Sequence, residues 1–473
     1  MSLKYPIYKF QMPPWLFWMQ VFCFIVLYSI WSLPQTIFIR NASLILGALI
    51  SFYEIYQFRH LLLERKAIQV WILGSLFIWM VIHLFFISNN FSLQIVEYAS
   101  IWKRTLIGFI FGLGFGVTLM NQKNNYKWCW PLIYLGLLMP TLIYILKFTL
   151  TNFGSNLHII APEYLKLHDS LSSLPFYVTK TSYVSFCLPV LAIALGKIQE
   201  NIKNNHWINW GNFVYLISVQ AVLFVFYSER IKNGIVYSLL LLGIFLFIIL
   251  KDFHKSIMKN IILIIGILIP LTLFLNFHIK KEESWKTFIA DSKIAVQIEK
   301  YDNWKNTPEY GFPNNEFGNP VSGTNYERIA WGLNGILLVL ENPLGFGLIE
   351  RSFGQITKNK WPNSNLTQSH SGWIDLTLGI GIPGLLVIMT ALLTSVYRLS
   401  VLNRLLMTKG CKTWSVVSWW ALVSLLLMWC TTELSQKVYF DELIFWISLA
   451  AGVLLGGAQN IVINPTIKEI VKL

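Results

Sequence analysis

Charged residues are scarce in this chain. They make up 13% of its 473 residues, about half of the roughly 25% usual in a soluble domain. That shortage excludes a soluble enzyme and a disordered tail. Cysteine is scarce too. Cys23, Cys129, Cys187, Cys411 and Cys430 fall in apolar runs or near their ends, with no disulfide framework and no zinc spacing. There is no internal repeat, no low-complexity tract, and no Asp-x-Asp pair for a divalent cation. The first apolar run is too long for a signal-peptide core and lacks a small-residue cleavage site, so it reads as a signal-anchor.

Apolar sequence is abundant. Hydrophobic residues make up 55% and aromatics 15%, and mean hydropathy is +0.55. The runs imply an all-α polytopic membrane protein of about twelve transmembrane helices. The expected spans are 15–33, 37–56, 70–88, 104–121, 128–147, 182–197, 208–228, 234–250, 260–277, 372–395, 414–431 and 442–459. Continuous runs exclude a β-barrel, which shows short alternating segments. Residues 1–473 read as a single membrane domain, with one long loop, 278–371, inserted between spans nine and ten and expected to contain helices. A shorter loop covers about 148–181.

The net charge of +14 is a matter of orientation. The segments on the side of the termini carry 18 Lys and Arg; the other side carries 19, ten of them in the long loop. Long loops are discounted in the positive-inside rule. Both termini are therefore expected in the cytoplasm and both loops on the exported side. The basic balance marks topology and gives no reason to expect nucleic acid. Membrane lipids are the expected surroundings.

The spans themselves hold little charge. Arg40 and Glu54 lie near ends, and His83 reads as a packing histidine. Helices broken by paired Gly and Pro are not evident, which disfavours transport. The chemistry is expected on the exported face.

Three cationic positions stand at exported helix starts. Arg230 and Lys232 lie in the tight turn of residues 228–234, before a helix whose N-terminus opposes cations; an anionic ligand would explain them, as would snorkelling and pairing with Glu229. Arg328 lies in a helix expected to open with a capping box, Thr324 with Glu327. Tyr326, Ile329, Ala330, Leu333, Leu337 and Leu340 form its apolar stripe. Gly332 and Gly335 share the face of Arg328, which fits either a bulky ligand or close helix packing. His370 opens span ten, where a helix N-terminus favours neutral imidazole, the form that acts as a general base; a capping histidine is the plain alternative. Together these residues suit a diphosphate.

The segments 228–234, 328–347 and 370–384 resemble the O-antigen ligase and O-antigen polymerase superfamily of bacteria. The resemblance lies in Ser228-Glu229-Arg230, in Arg328 with Trp331, in Asn342-Pro343-Leu344-Gly345-Phe346-Gly347, and in His370 followed by Gly381 and Gly384. Glu229 and Ser371 depart from the commoner pattern. The resemblance implies a C-type glycosyltransferase fold and an enzyme of the bacterial inner membrane working at its periplasmic face without metal or cofactor. The implied donor is an undecaprenyl-diphosphate-linked glycan and the implied acceptor the lipid A-core oligosaccharide. A protein oligosaccharyltransferase or a polymerase of the same superfamily, and a flippase of lipid-linked sugars, are the alternatives. Arg230 and Arg328 would neutralise the diphosphate, and His370 would activate the acceptor hydroxyl. Tyr326, Trp331 and Trp373 could stack on sugar, though Trp373 reads better as an interfacial anchor. Lys180, Lys232 and Arg351 would be secondary contacts.

Overall fold

A computed structural model of the chain describes residues 12–460, except 122–126, 155, 157, 159, 169–176, 208, 253–271, 273–275, 278, 281–284, 351, 406–408 and 433–436. The described residues are helical and contain no strand, only an isolated bridge between Asn314 and Pro320. The chain is an all-α polytopic membrane protein. Among the described residues, ten helices are long and apolar enough to cross a bilayer. They are α2 (Ile37–Gln57), α3 (Ile68–Phe86), α4 (Phe91–Asn121), α5 (Cys129–Phe153), α6 (Lys180–Lys203), α7 (Trp210–Ser228), α8 (Lys232–Asp252), α12 (Gly372–Leu405), α13 (Lys409–Met428) and α14 (Lys437–Asn460). Helix α1 (Pro14–Ile30) has 17 residues and is shorter. The expected ninth span, 260–277, lies outside the described residues but for isolated positions. The longer helices described in the long loop are α9 (Phe288–Ala295), α10 (Gly323–Glu341) and α11 (Ser352–Lys360), with a single turn at Thr307–Tyr310. In α9, Phe288 and Ile289 are exposed, while Ala290 and Asp291 face inward.

Helices α6 and α14 form the centre, buried nearly all round, as helices apolar on every face require. Small residues bring α4 and α14 together. A Cβ at Gly452 would lie 2.1 Å from the Leu113 carbonyl oxygen, and one at Gly116 would lie 2.2 Å from that of Leu449. In lipid, such close backbone approach supplies packing that apolar side chains alone do not. Helix α4 starts 13 residues before the expected span, and α14 starts at Lys437. The starts of both expected spans, at Arg104 and Glu442, put charge inside, as does Asp441 just before the second. Arg104 pairs with Asp441, which also accepts from Thr105 Oγ1 at 2.6 Å, and Glu442 accepts from Ser185. The helix ends are thus less free of charge than their hydropathy implies.

A broken helix is present, contrary to expectation. In α12 the backbone turns left-handed at Gly381, φ 73°, two residues before Pro383. The break exposes backbone groups, and the irregular segment 343–347, which begins in a turn, satisfies them. Phe346 N–H donates to the Leu378 carbonyl at 2.7 Å, Gly347 N–H to that of Gly379 at 2.8 Å, and Ile382 N–H to that of Pro343 at 2.8 Å. The Trp79 indole N–H takes up the Ile380 carbonyl at 2.7 Å. Non-helical backbone at this depth is tolerated only with such partners. The approach is so tight that a Cβ on Gly345 would lie 2.3 Å from the Gly381 nitrogen. His83, fully buried, bonds Gln94 and the Gly345 carbonyl, which fits its reading as a packing histidine. This clasp fixes where α10 ends and α12 begins.

Candidate functional site

The turn carrying Arg230 is built from the end of α7. Ile231 N–H donates to the Phe226 carbonyl at 2.8 Å, and Arg230 N–H to that of Tyr227 at 3.2 Å. These two bonds, with buried Ile231 and Phe226 at the flanks, make a Schellman C-cap. Its left-handed position is normally glycine. Here it is Arg230, with φ 56°, at a cost of about 1–2 kcal/mol for a residue with a Cβ. Glu229 accepts a hydrogen bond from the Tyr144 hydroxyl at 2.9 Å, and no ion pair joins it to Arg230 among the described residues. Neutralisation of Arg230 by its neighbour is therefore not seen. Lys232 follows at once as the first residue of α8.

Helix α10 starts at Gly323, one residue before the expected cap. Its N-cap Ser322 makes no side-chain cap, and Glu327 accepts from Thr307 Oγ1 at 2.7 Å instead of reaching back. Asp291 does the capping from α9. Its buried carboxylate accepts from Ser322 N–H at 3.3 Å, Asn325 Nδ2 at 2.9 Å, Asn315 Nδ2 at 3.1 Å and Thr287 Oγ1 at 2.7 Å. A carboxylate fixed at the N-terminus answers the helix dipole there. Helix α10 thus contributes the Arg328 side chain, half-buried one turn in, while its own N-terminus is already met. The apolar stripe is shorter than expected: Tyr326, Ala330 and Leu338 are buried, while Leu337 and Leu340 are exposed. Of the two glycines, Gly335 is explained by packing, because a Cβ there would lie 2.6 Å from Ile374 Cγ2. A Cβ on Gly332 would meet nothing within 4 Å.

These elements meet around one cavity of about 380 Å³. It is lined by Lys180, Thr181 and Val184 at the start of α6, by residues 230–233 at the start of α8, by Thr324 and Arg328 of α10, and by Thr432. Four of its described lining residues are cations and none is a carboxylate. Asn233 braces the floor, donating to Thr432 Oγ1 at 3.0 Å. The N-termini of α6 and α8 add partial positive charge. Three sequence regions separated by up to 148 positions, from Lys180 to Arg328, thus present their cations to one cavity.

His370 does not line this cavity. It stacks on Trp331, ring centroids 4.8 Å apart and planes 4° from parallel. Trp331 lies three residues after Arg328 on α10, and residues so spaced on a helix are neighbours, about 5–6 Å between Cβ atoms. His370 has φ 62°, a second strained residue at the site. Its neighbours hold that conformation. Ser369 N–H donates to Asp375 Oδ1 at 2.9 Å, and Ser371 N–H to Ser369 Oγ at 3.2 Å. Asp375 thus clamps the backbone before His370.

The other expected contacts divide. Lys180 and Lys232 line the cavity. Trp331 is half-buried, with its indole N–H on the Trp304 carbonyl at 2.8 Å. Tyr326 offers no stacking surface: it is 1% exposed, its hydroxyl donates to the Tyr301 carbonyl at 3.3 Å, and burial pushes its phenol up to about 12. The helical period had already put it on the buried side. Trp373 donates its indole N–H to the Leu426 carbonyl at 3.2 Å and packs on Trp429, an anchor between α12 and α13. Arg351 lies outside the described residues. Thr181, Asn233, Thr432 and Asp291 carried no signal in the sequence, because isolated polar residues beside apolar runs are too common to single out. Compared with known proteins, the chain matches no family model and no curated protein.

Proposed function

We propose that this chain is a metal-independent glycosyltransferase of the O-antigen ligase and polymerase type, with a C-type fold of about twelve spans. It transfers a glycan from undecaprenyl diphosphate to the lipid A-core oligosaccharide at the periplasmic face of the bacterial inner membrane. The observation that carries this reading is the cavity ringed by Lys180, Arg230, Lys232 and Arg328, without a described carboxylate, at two helix N-termini. Such a surface fits a diphosphate, and arginine forks match phosphate oxygens in pairs.

The chemistry follows from charge. The acceptor hydroxyl oxygen attacks the anomeric carbon, and the bond from that carbon to the diphosphate oxygen breaks. The electron pair leaves with the lipid diphosphate, where Arg230 and Arg328 neutralise the growing charge. His370 takes the proton of the attacking hydroxyl. Trp331, on the face of α10 shared with Arg328, sets the plane of the imidazole.

The test is reconstitution. Purified protein in liposomes receives undecaprenyl-diphosphate-linked glycan with either lipid A-core or a Ser/Thr-bearing acceptor protein. Glycosylated lipid A-core is expected, lost in His370→Ala and reduced at least tenfold in Arg328→Lys. Transfer by His370→Ala at the wild-type rate would remove the base role. Product on the protein alone would move the reading to an oligosaccharyltransferase. Binding of pyrophosphate, measured separately by calorimetry, reports on the cation cavity without any acceptor.

A further inference from the structure

A second and larger cavity lies in the long loop, apart from the cations. It measures about 500 Å³ and is lined by residues 302, 303, 305 and 310 on one side and 360–364 on the other. This is within the range of small-ligand sites, about 300–1,000 Å³. Its character is different. Each lysine on its rim is already paired, Lys305 with Asp302 at 2.7 Å and Lys360 with Glu341 at 2.6 Å. The walls therefore present donors and acceptors with no surplus of positive charge. Two aromatics stand among them: Trp361, and Tyr310 at 45% exposure. Asn303 and Asn363 supply amides, and the buried Ser364 hydroxyl has no hydrogen-bond partner among the described residues.

Hydrogen bonds hold the two walls in register. Asn306 Nδ2 donates to the Asn363 carbonyl at 2.9 Å, and Asn365 N–H to that of Lys305 at 3.0 Å. Trp361 packs edge-on against Trp304, centroids 5.1 Å apart at 89°. The Trp304 carbonyl is the group that holds Trp331, which stacks on His370. A continuous run of aromatic residues thus joins the cavity wall to the candidate base.

We propose that this cavity binds a neutral saccharide and that, on the transfer reading above, it seats the sugar chain of the acceptor. A sugar ring matches the lining on both counts. Its C–H face lies on an aromatic plane, and its hydroxyls both donate and accept towards amides and paired charges. An anion would have to compete with Asp302 and Glu341 for the lysines, so a diphosphate belongs at the other cavity. Trp361 and His370 are nine positions apart, so at most about 32 Å of backbone separates the cavity wall from the base.

The test is saturation-transfer NMR on the full chain in lipid nanodiscs free of glycoside detergent. The probes are maltotriose, cellotriose and mannotriose. At least one should receive saturation from the wild type. That transfer should fall at least fivefold in Trp361→Ala and Tyr310→Ala, and persist in Trp361→Phe and Arg328→Ala. Retained pyrophosphate binding shows that a variant is folded; if Trp361→Ala loses it, Tyr310→Ala decides, because Tyr310 is exposed. Failure of all three sugars to bind the wild type, or binding unmoved by the deciding variant, overturns the site. Loss of pyrophosphate binding in the wild type, with a trisaccharide still bound through Trp361, would instead remove the donor reading and leave this site standing.

Discussion

The imidazole of His370 lies flat on the indole of Trp331, 4.8 Å between centroids and 4° from parallel. The indole cannot swing, because its N–H is bound to the Trp304 carbonyl at 2.8 Å. His370 has therefore one face covered and its rotation limited, while its backbone is held by the Ser369 and Asp375 bonds. A base restrained this way holds its geometry before substrate arrives, which is worth rate and little affinity.

Trp331→Ala should accordingly lower kcat for transfer about tenfold, since a stacked aromatic pair contributes about 0.5–1.5 kcal/mol. Donor KM should move less than about twofold. Trp331→Phe keeps the stack and should recover most of kcat. A change in KM alone, with kcat intact, would make Trp331 a substrate contact instead.

The glycines give an opposed pair of expectations. Gly381 is left-handed, and a Cβ there would lie 2.3 Å from the Leu344 carbonyl oxygen. Gly381→Ala should cost at least about 2 kcal/mol, from backbone strain and overpacking together. Gly332 is helical with nothing within 4 Å of an added Cβ. Gly332→Ala should raise stability by up to about 1 kcal/mol. Thermal unfolding in one detergent compares the two, and equal midpoints would contradict both arguments.

How much of this was legible beforehand depends on whether the signal was local. The spans and the cations at their ends could be read because hydropathy and charge are properties of a single segment. That Arg328 faces away from a buried Tyr326 followed from the 3.6-residue period. The cap of α10 could not be read so. Thr324 and Glu327 spell a capping box, yet Asp291, from another helix, holds the Ser322 amide. The break at Gly381 was hidden inside an apolar run, because the segment that completes it, 343–347, lies more than thirty residues earlier. The turn at Arg230 was read, but its left-handed backbone was not, for another reason. Left-handed C-caps are recognised by glycine, and here the glycine is absent.

Asp291 provides the third expectation. Its carboxylate collects four hydrogen bonds in a fully buried setting. Asp291→Asn replaces one acceptor oxygen with a donor facing other donors. The loss should be about 1–3 kcal/mol, concentrated at the start of α10. Hydrogen exchange should be faster at the Ser322 amide, and pyrophosphate binding weaker through a less fixed Arg328. Unchanged exchange there would mean that the helix start is held by something other than Asp291.

Arg230 offers the sharpest separation of stability from function. A residue with a Cβ at φ 56° carries about 1–2 kcal/mol of strain that glycine does not. Glycine also loosens the unfolded chain, which takes back about 0.5–1 kcal/mol. Compared with Arg230→Ala, which keeps the strain and removes the same charge, Arg230→Gly should therefore be more stable by up to about 1 kcal/mol. Both should bind pyrophosphate at least tenfold more weakly than the wild type. If Arg230→Gly is no more stable than Arg230→Ala, the turn is not strained in the way its backbone angle indicates. If both variants bind pyrophosphate as the wild type does, the guanidinium plays no part in the anion site, and strain at this turn has no functional return. A gain in stability joined to a loss of binding is the pairing expected of an arginine kept at a glycine position for its charge.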